Sequence, residues 1–95
     1  MDLLVAYDVA TATVEGQRRL RRVAKVCEGF GVRVQRSVFE LVLDPHELPV
    51  LLDRLRRTMK VDEDSIRIYR LDAREPIARL GIEPALSTIR GPLII

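Results

Sequence analysis

The run LLVAY at residues 3–7 is apolar without interruption, and it closes on an acid, Asp8. A short apolar run bounded by a charge predicts a buried strand, Leu3–Asp8. After the polar TATV stretch (residues 11–14) the period changes. Leu20, Val23, Ala24 and Cys27 recur at helical spacing, which predicts an amphipathic helix from about Val14 to Phe30. Thr11 or Thr13 caps its start, Glu15 suits its first turn, and Gly29 and Gly31 end it. VRVQRSVFELVL (residues 32–43) is rich in β-branched and apolar types. It exceeds the usual strand of about 5–6 residues, so two strands are expected, divided near Arg36 and Ser37.

DPHE (residues 44–47) then starts a second helix, with Asp44 as N-cap, Pro45 at the first helical position and Glu47 reaching back. Leu48, Leu51, Leu52, Leu55 and Met59 form its core stripe. The acidic loop VDED (61–64) leads into SIRIYRL (65–71), which alternates as a strand. The order β-α-β-β-α-β predicts an α+β, ferredoxin-like sandwich, two helices on one face of an antiparallel sheet. That domain is assigned to residues 1–78. Residues 79–95 form a C-terminal tail with a short strand candidate in GPLII, including Leu93, Ile94 and Ile95. An uncovered sheet face and an apolar tail together predict a homodimer in which tails or sheets pair between subunits.

Composition narrows the class. The chain has 95 residues, 47% apolar and 32% charged, the balance of one folded domain. No apolar run approaches the ~20 residues of a membrane span, and Met1 opens no secretory signal, so the cytoplasm is the expected compartment and no membrane partner is expected. The single Cys27 excludes an internal disulfide and sits on the apolar stripe of the first helix. Net charge is only +2, yet it is unevenly spread. Arg18, Arg22 and Lys25 stand at i, i+4, i+7 on the first helix, flanked by Arg19 and Arg21, with Arg33 and Arg36 beyond. Glu28 is the one acid between Gly16 and Arg36, so the stripe lacks the i, i+4 acids that balance an ordinary solvated face. Arginine forks suit phosphate, and such contacts follow the backbone of DNA or RNA without reading its sequence.

The candidate chemistry is sparse. Asp8 is either a loop-forming residue that happens to follow a strand or a carboxylate held at a strand end for chemistry. Ser37 is placed to hydrogen-bond a phosphate or its own backbone, and Phe39 to fill the core or a dimer interface. His46, the single histidine, lies in the first turn of the second helix as a surface residue. No Gly-rich phosphate loop, metal-ligand cluster or Ser-His-Asp set is present in the sequence.

Three features in order carry a resemblance: a strand ending in Tyr7-Asp8, the helix segment RRLRRVAK (18–25), and VQRSVFE (34–40), followed by DPHEL and DEDSIRIYRL. Together they resemble the Cas-two family of small CRISPR-associated adaptation proteins, over residues 1 to about 72. The resemblance implies a ferredoxin-like homodimer that works with the Cas-one integrase in spacer acquisition. It further implies a metal-dependent endonuclease activity on single-stranded RNA or double-stranded DNA. By the same resemblance Asp8 is the catalytic and metal-binding residue, with one Mg²⁺ or Mn²⁺ shared by the Asp8 residues of two subunits. The unbalanced cationic stripe and the positions beyond it make Arg18, Arg19, Arg22, Arg33, Arg36 and Ser37 the expected nucleic-acid contacts, Arg22, Arg33 and Ser37 also by the resemblance, and Phe39 with the apolar tail residues Leu93, Ile94 and Ile95 the expected dimer interface. Val9-Ala10-Thr11, Leu20 and Arg36 depart from the family's usual types. A ferredoxin-like regulatory or small-ligand-binding module without nuclease activity is the alternative.

Overall fold

The computed structural model describes residues 1–72 together with 78, 80 and 81. Its elements follow the expected order: β1 (Asp2–Asp8), α1 (Val14–Glu28), β2 (Gly31–Gln35), β3 (Val38–Val42), α2 (Leu48–Thr58) and β4 (Ser65–Arg70), with a 3-10 turn at Pro45–Glu47 before α2. The sheet order is β2-β3-β1-β4, every neighbouring pair antiparallel. This is the ferredoxin-like sandwich predicted from the pattern. The expected tail strand, with Leu93, Ile94 and Ile95, lies outside the described residues.

Local chemistry explains the boundaries. Thr13, not Thr11, caps α1, its hydroxyl oxygen accepting the Gly16 N–H at 3.0 Å. Gly29 closes the helix, and its N–H reaches the carbonyls of Val26 and Cys27. The 32–43 run divides where expected, with Arg36 and Ser37 in the turn between β2 and β3. Asp44 and Glu47 form a capping box, the Asp44 N–H donating to Glu47 Oε1 at 2.8 Å. It caps the 3-10 turn, and α2 proper starts only after that turn, at Leu48.

Strand alternation sorts residues onto two faces. Leu3, Val5 and Tyr7 of β1 and Phe39 and Leu41 of β3 meet Val23, Ala24 and Cys27 of α1 and Leu51 and Leu55 of α2, all buried. Burying each large side chain contributes about 1.5–3 kcal/mol. Phe39 is fully enclosed here, which corrects its assignment to a dimer interface. Its partner across the register is Val5, so it points to the helices and not to the open face. Leu52 lies at the edge of the helix stripe and stays partly exposed. The other sheet face has no helix over it among the described residues. Leu4, Ala6 and Val38 are half-buried there, and Val42 and Tyr69 are exposed.

Candidate functional site

Asp8 is the last residue of β1, and in register it faces Ser65, the first residue of β4. Alternation turns it away from buried Tyr7, toward the face without helices. It is exposed, and among the described residues its carboxylate has no ion pair or hydrogen bond. Ala6 and Arg67, further along the same face, form the next pair of the ladder with that orientation.

The β2–β3 turn is tied to the same end of the sheet. The Tyr7 N–H donates to the Ser37 carbonyl at 3.0 Å, and the Tyr7 hydroxyl donates to the Arg36 carbonyl at 3.3 Å. Two bonds from one residue hold Arg36 and Ser37 next to the strand end that carries Asp8. Burial pushes the Tyr7 phenol above its ordinary pKa, with nearby Arg33 opposing the shift, so Tyr7 acts here as a neutral donor.

The helix-one cations do not form one surface. Arg18 and Arg22 are exposed on the outer side of α1, as expected. Arg19 is committed elsewhere. Its Nε donates to Asp64 Oδ2 at 2.9 Å and a terminal nitrogen to Oδ1 at 3.3 Å, with Glu63 at 3.6 Å. This corrects the assignment of Arg19 to phosphate. The spacing carries a hint: Arg19 is four residues before buried Val23, on the flank of the apolar stripe and not opposite it.

Asp64 is the residue that pattern reading misses, because in the sequence it is only one member of an acidic loop. Its side chain is fully enclosed, and besides Arg19 it accepts the Ala10 N–H at 3.1 Å and the Lys60 N–H at 2.9 Å. The guanidinium, aided by these two N–H groups, holds its carboxyl below the usual range against the opposing effect of burial.

Arg33 lies on the helix-facing side of β2, its guanidinium 5.2 Å from the Phe39 ring centroid. With Arg36 it lines a groove that also includes Arg21 and Lys25 from α1. The structure therefore separates the predicted phosphate contacts into an outward pair, Arg18 and Arg22, and a groove pair, Arg33 and Arg36.

Among the described residues, no three His, Cys, Asp or Glu side chains come together in a group able to hold a metal ion. Asp8 therefore belongs to no such group. No helix is long and apolar enough to cross a membrane among the described residues.

Comparisons with known proteins match this arrangement over most of its length. The family model described as CRISPR associated protein Cas2 matches residues 1–76. A CRISPR-associated endoribonuclease Cas2 of Nitratidesulfovibrio vulgaris is 44% identical, covering 100% of this chain and 94% of that protein. A CRISPR-associated endonuclease Cas2 of Halalkalibacterium halodurans is 40% identical, covering 99% of each. Among solved structures, Streptococcus pyogenes Cas2 superposes with a TM-score of 0.71 at 48% identity, over 75% of this chain and 86% of that one. A hypothetical protein, TT1823, from Thermus thermophilus reaches 0.74 at 32% identity, over 90% and 96%. The strand-end Asp8, the ferredoxin-like sheet order and these similarities lead to one conclusion: the chain belongs to the Cas2 family of CRISPR-associated proteins.

Proposed function

We propose that this chain is a CRISPR adaptation protein that acts as a homodimer, binds nucleic-acid backbones and serves the Cas-one integrase in spacer acquisition, with a metal-dependent endonuclease activity centred on Asp8. The observation that carries the catalytic reading is the contrast between two strand-end acids. Asp64, just before β4, is enclosed and fully hydrogen-bonded, whereas Asp8, at the end of β1, is exposed and without a partner among the described residues. A carboxylate left free beside Ser65, its register partner, is available to a ligand.

The donor set fits a hard divalent cation best if two chains contribute. Mg²⁺ takes one or two carboxylates and fills its remaining positions with water and phosphate oxygens. Asp8 from each of two subunits would hold one Mg²⁺ or Mn²⁺. When bound, such an ion supplies activated water and offsets charge on the phosphate under attack. The chain's own part is to present the carboxylate at the strand end and to hold the backbone of its substrate with Arg18, Arg22 and the turn around Ser37. The open face with Leu4, Val42 and Tyr69 supports pairing of two sheets.

The lack of a three-membered ligand group among the described residues also supports a second reading, in which the dimer is a scaffold for the integrase and does not cleave. Cleavage of labelled single-stranded RNA and duplex DNA with Mg²⁺ or Mn²⁺, in wild type and Asp8→Ala, separates the two. Loss of cleavage with retained binding establishes the nuclease. Absence of cleavage in both, with salt-sensitive duplex binding in both, establishes the scaffold.

A further inference from the structure

The groove between α1 and the edge strand β2 gathers four cations into one concave surface. Its volume is about 590 Å³, within the range of small-molecule sites. Arg21 and Lys25 stand on its helical wall, Arg33 and Arg36 on the wall formed by β2 and its turn, and among the described residues Glu28 is the one acid that lines it. Leu20, Ala24 and Tyr7 make an apolar floor between these walls. None of the four cations has a carboxylate partner within salt-bridge distance among the described residues. Arg33 Nε is enclosed and without an acceptor, and its guanidinium lies 5.2 Å from the Phe39 ring centroid.

We propose that this groove is a subsite for one nucleotide of a single-stranded nucleic acid, with its phosphates on the cationic walls and its base over the Leu20–Ala24–Tyr7 floor. The proposal rests on the nucleic-acid reading above and adds to it a second site, because Tyr7 and Arg33 face the helices while Asp8 faces the opposite side of the sheet. Arg21 and Lys25 are one helical turn apart, about 6 Å along the axis, a step comparable with that between successive phosphates of an extended strand. An open trough with cations on both rims suits a chain that enters and leaves. A free metabolite makes fewer contacts in so open a trough, and no Gly-rich phosphate loop is present to add them. A paired base cannot reach the floor, whereas an unstacked base lies on apolar side chains and between guanidinium planes.

The test is fluorescence anisotropy of the full chain with labelled single-stranded RNA and DNA 12-mers, in EDTA so that binding alone is read. The double reversal Arg21→Glu with Lys25→Glu should weaken binding by about ten-fold or more at low salt. The equal charge change Arg56→Glu with Arg57→Glu on α2 should weaken it much less. An abasic strand should bind more weakly than its base-bearing counterpart, and a free mononucleotide should compete poorly. Far-UV circular dichroism checks that the variants fold. If the Arg21/Lys25 variant binds no worse than the α2 variant while wild type binds well, the groove is overturned and the nucleic-acid reading stands. Equal binding of the abasic strand overturns the base contact, and a mononucleotide that competes as well as the oligomer overturns the strand assignment. No binding of any single or double strand by wild type overturns both the groove and the broader reading.

Discussion

Arg19 and Asp64, 45 residues apart in the chain, meet through two N–H···O bonds of 2.9 and 3.3 Å. The same carboxylate accepts the N–H of Ala10, two residues after Asp8, and of Lys60, in the loop leading from α2. Ser65, the next residue, is the register partner of Asp8. The pair therefore joins α1, the β1–α1 connection and the start of β4 at the end of the sheet that presents the candidate catalytic carboxylate. Replacing Asp64 by Ala leaves two backbone donors without their acceptor and, among the described residues, the guanidinium with only Glu63, at 3.6 Å. The expected loss of stability is about 3 kcal/mol, read from urea unfolding. A double-mutant cycle with Arg19→Met should show coupling, the double variant losing less than the sum of the two singles. Additive losses would mean that the two side chains do not act as a unit.

The pH dependence of that contribution has a definite sign. The Asp64 carboxyl is held below its unfolded value by Arg19 and the two N–H groups. A lowered folded pKa gives stability that is fully present above the unfolded value of about 3.9 and is lost as pH falls through the folded value. Wild type should exceed Asp64→Asn in unfolding midpoint at pH 7 and pH 5, and the gap should narrow toward pH 3. A gap that stays constant across this range would assign the effect to packing and not to charge.

Most of the frame is legible in the sequence because its signals are local. The apolar run ending at Asp8, the Thr13 cap, the break at Arg36-Ser37 and the Asp44–Glu47 box each depend on neighbours within a few residues, and all four occur in the fold. Asp8 at the strand end and Arg18 and Arg22 as outward cations are legible for the same reason. What escapes is long-range. Nothing near Asp64 reveals that an arginine 45 residues earlier will meet it. Phe39 is ambiguous in the sequence because alternation gives two faces but not which of them the helices will cover. Arg33 and Arg36 come to share a groove with Arg21 and Lys25 only when β2 lies along α1.

Gly31 begins β2 opposite Leu41. A Cβ there would lie 2.1 Å from the Glu40 carbonyl oxygen and 2.7 Å from Leu41 Cα, both backbone atoms of the adjoining strand. No rotamer change relieves a backbone clash, so β2 would have to move away from β3. Gly31→Ala should destabilise the fold by about 1–3 kcal/mol, measured by thermal or urea unfolding. An unchanged midpoint would show that the edge strand shifts at no cost.

Cys27 is fully enclosed between α1 and the sheet, and burial pushes its thiol up to about 11. The reactive species is the thiolate, so near neutral pH both access and ionisation oppose modification. A thiol reagent such as DTNB should label the folded protein slowly, at a rate that rises with urea, and label the unfolded chain at once. Rapid labelling in native buffer would mean that α1 opens locally far more often than its packing implies.

Asp8 completes the contrast with Asp64, since the two acids sit at one end of the sheet in opposite circumstances. Among the described residues Asp8 has no partner to lose, and its exposed position means that no enclosed donor is orphaned by its removal. Asp8→Asn should therefore change the unfolding free energy by no more than about 0.5 kcal/mol, the range of an ordinary surface substitution. The same variant should lose metal-dependent cleavage, because a neutral amide oxygen holds a hard divalent cation more weakly than a carboxylate does. Stability kept and cleavage lost would mark Asp8 as functional without being structural. A large loss of stability would instead make it a capping residue for the β1–α1 connection, and any fall in activity would then follow from the fold.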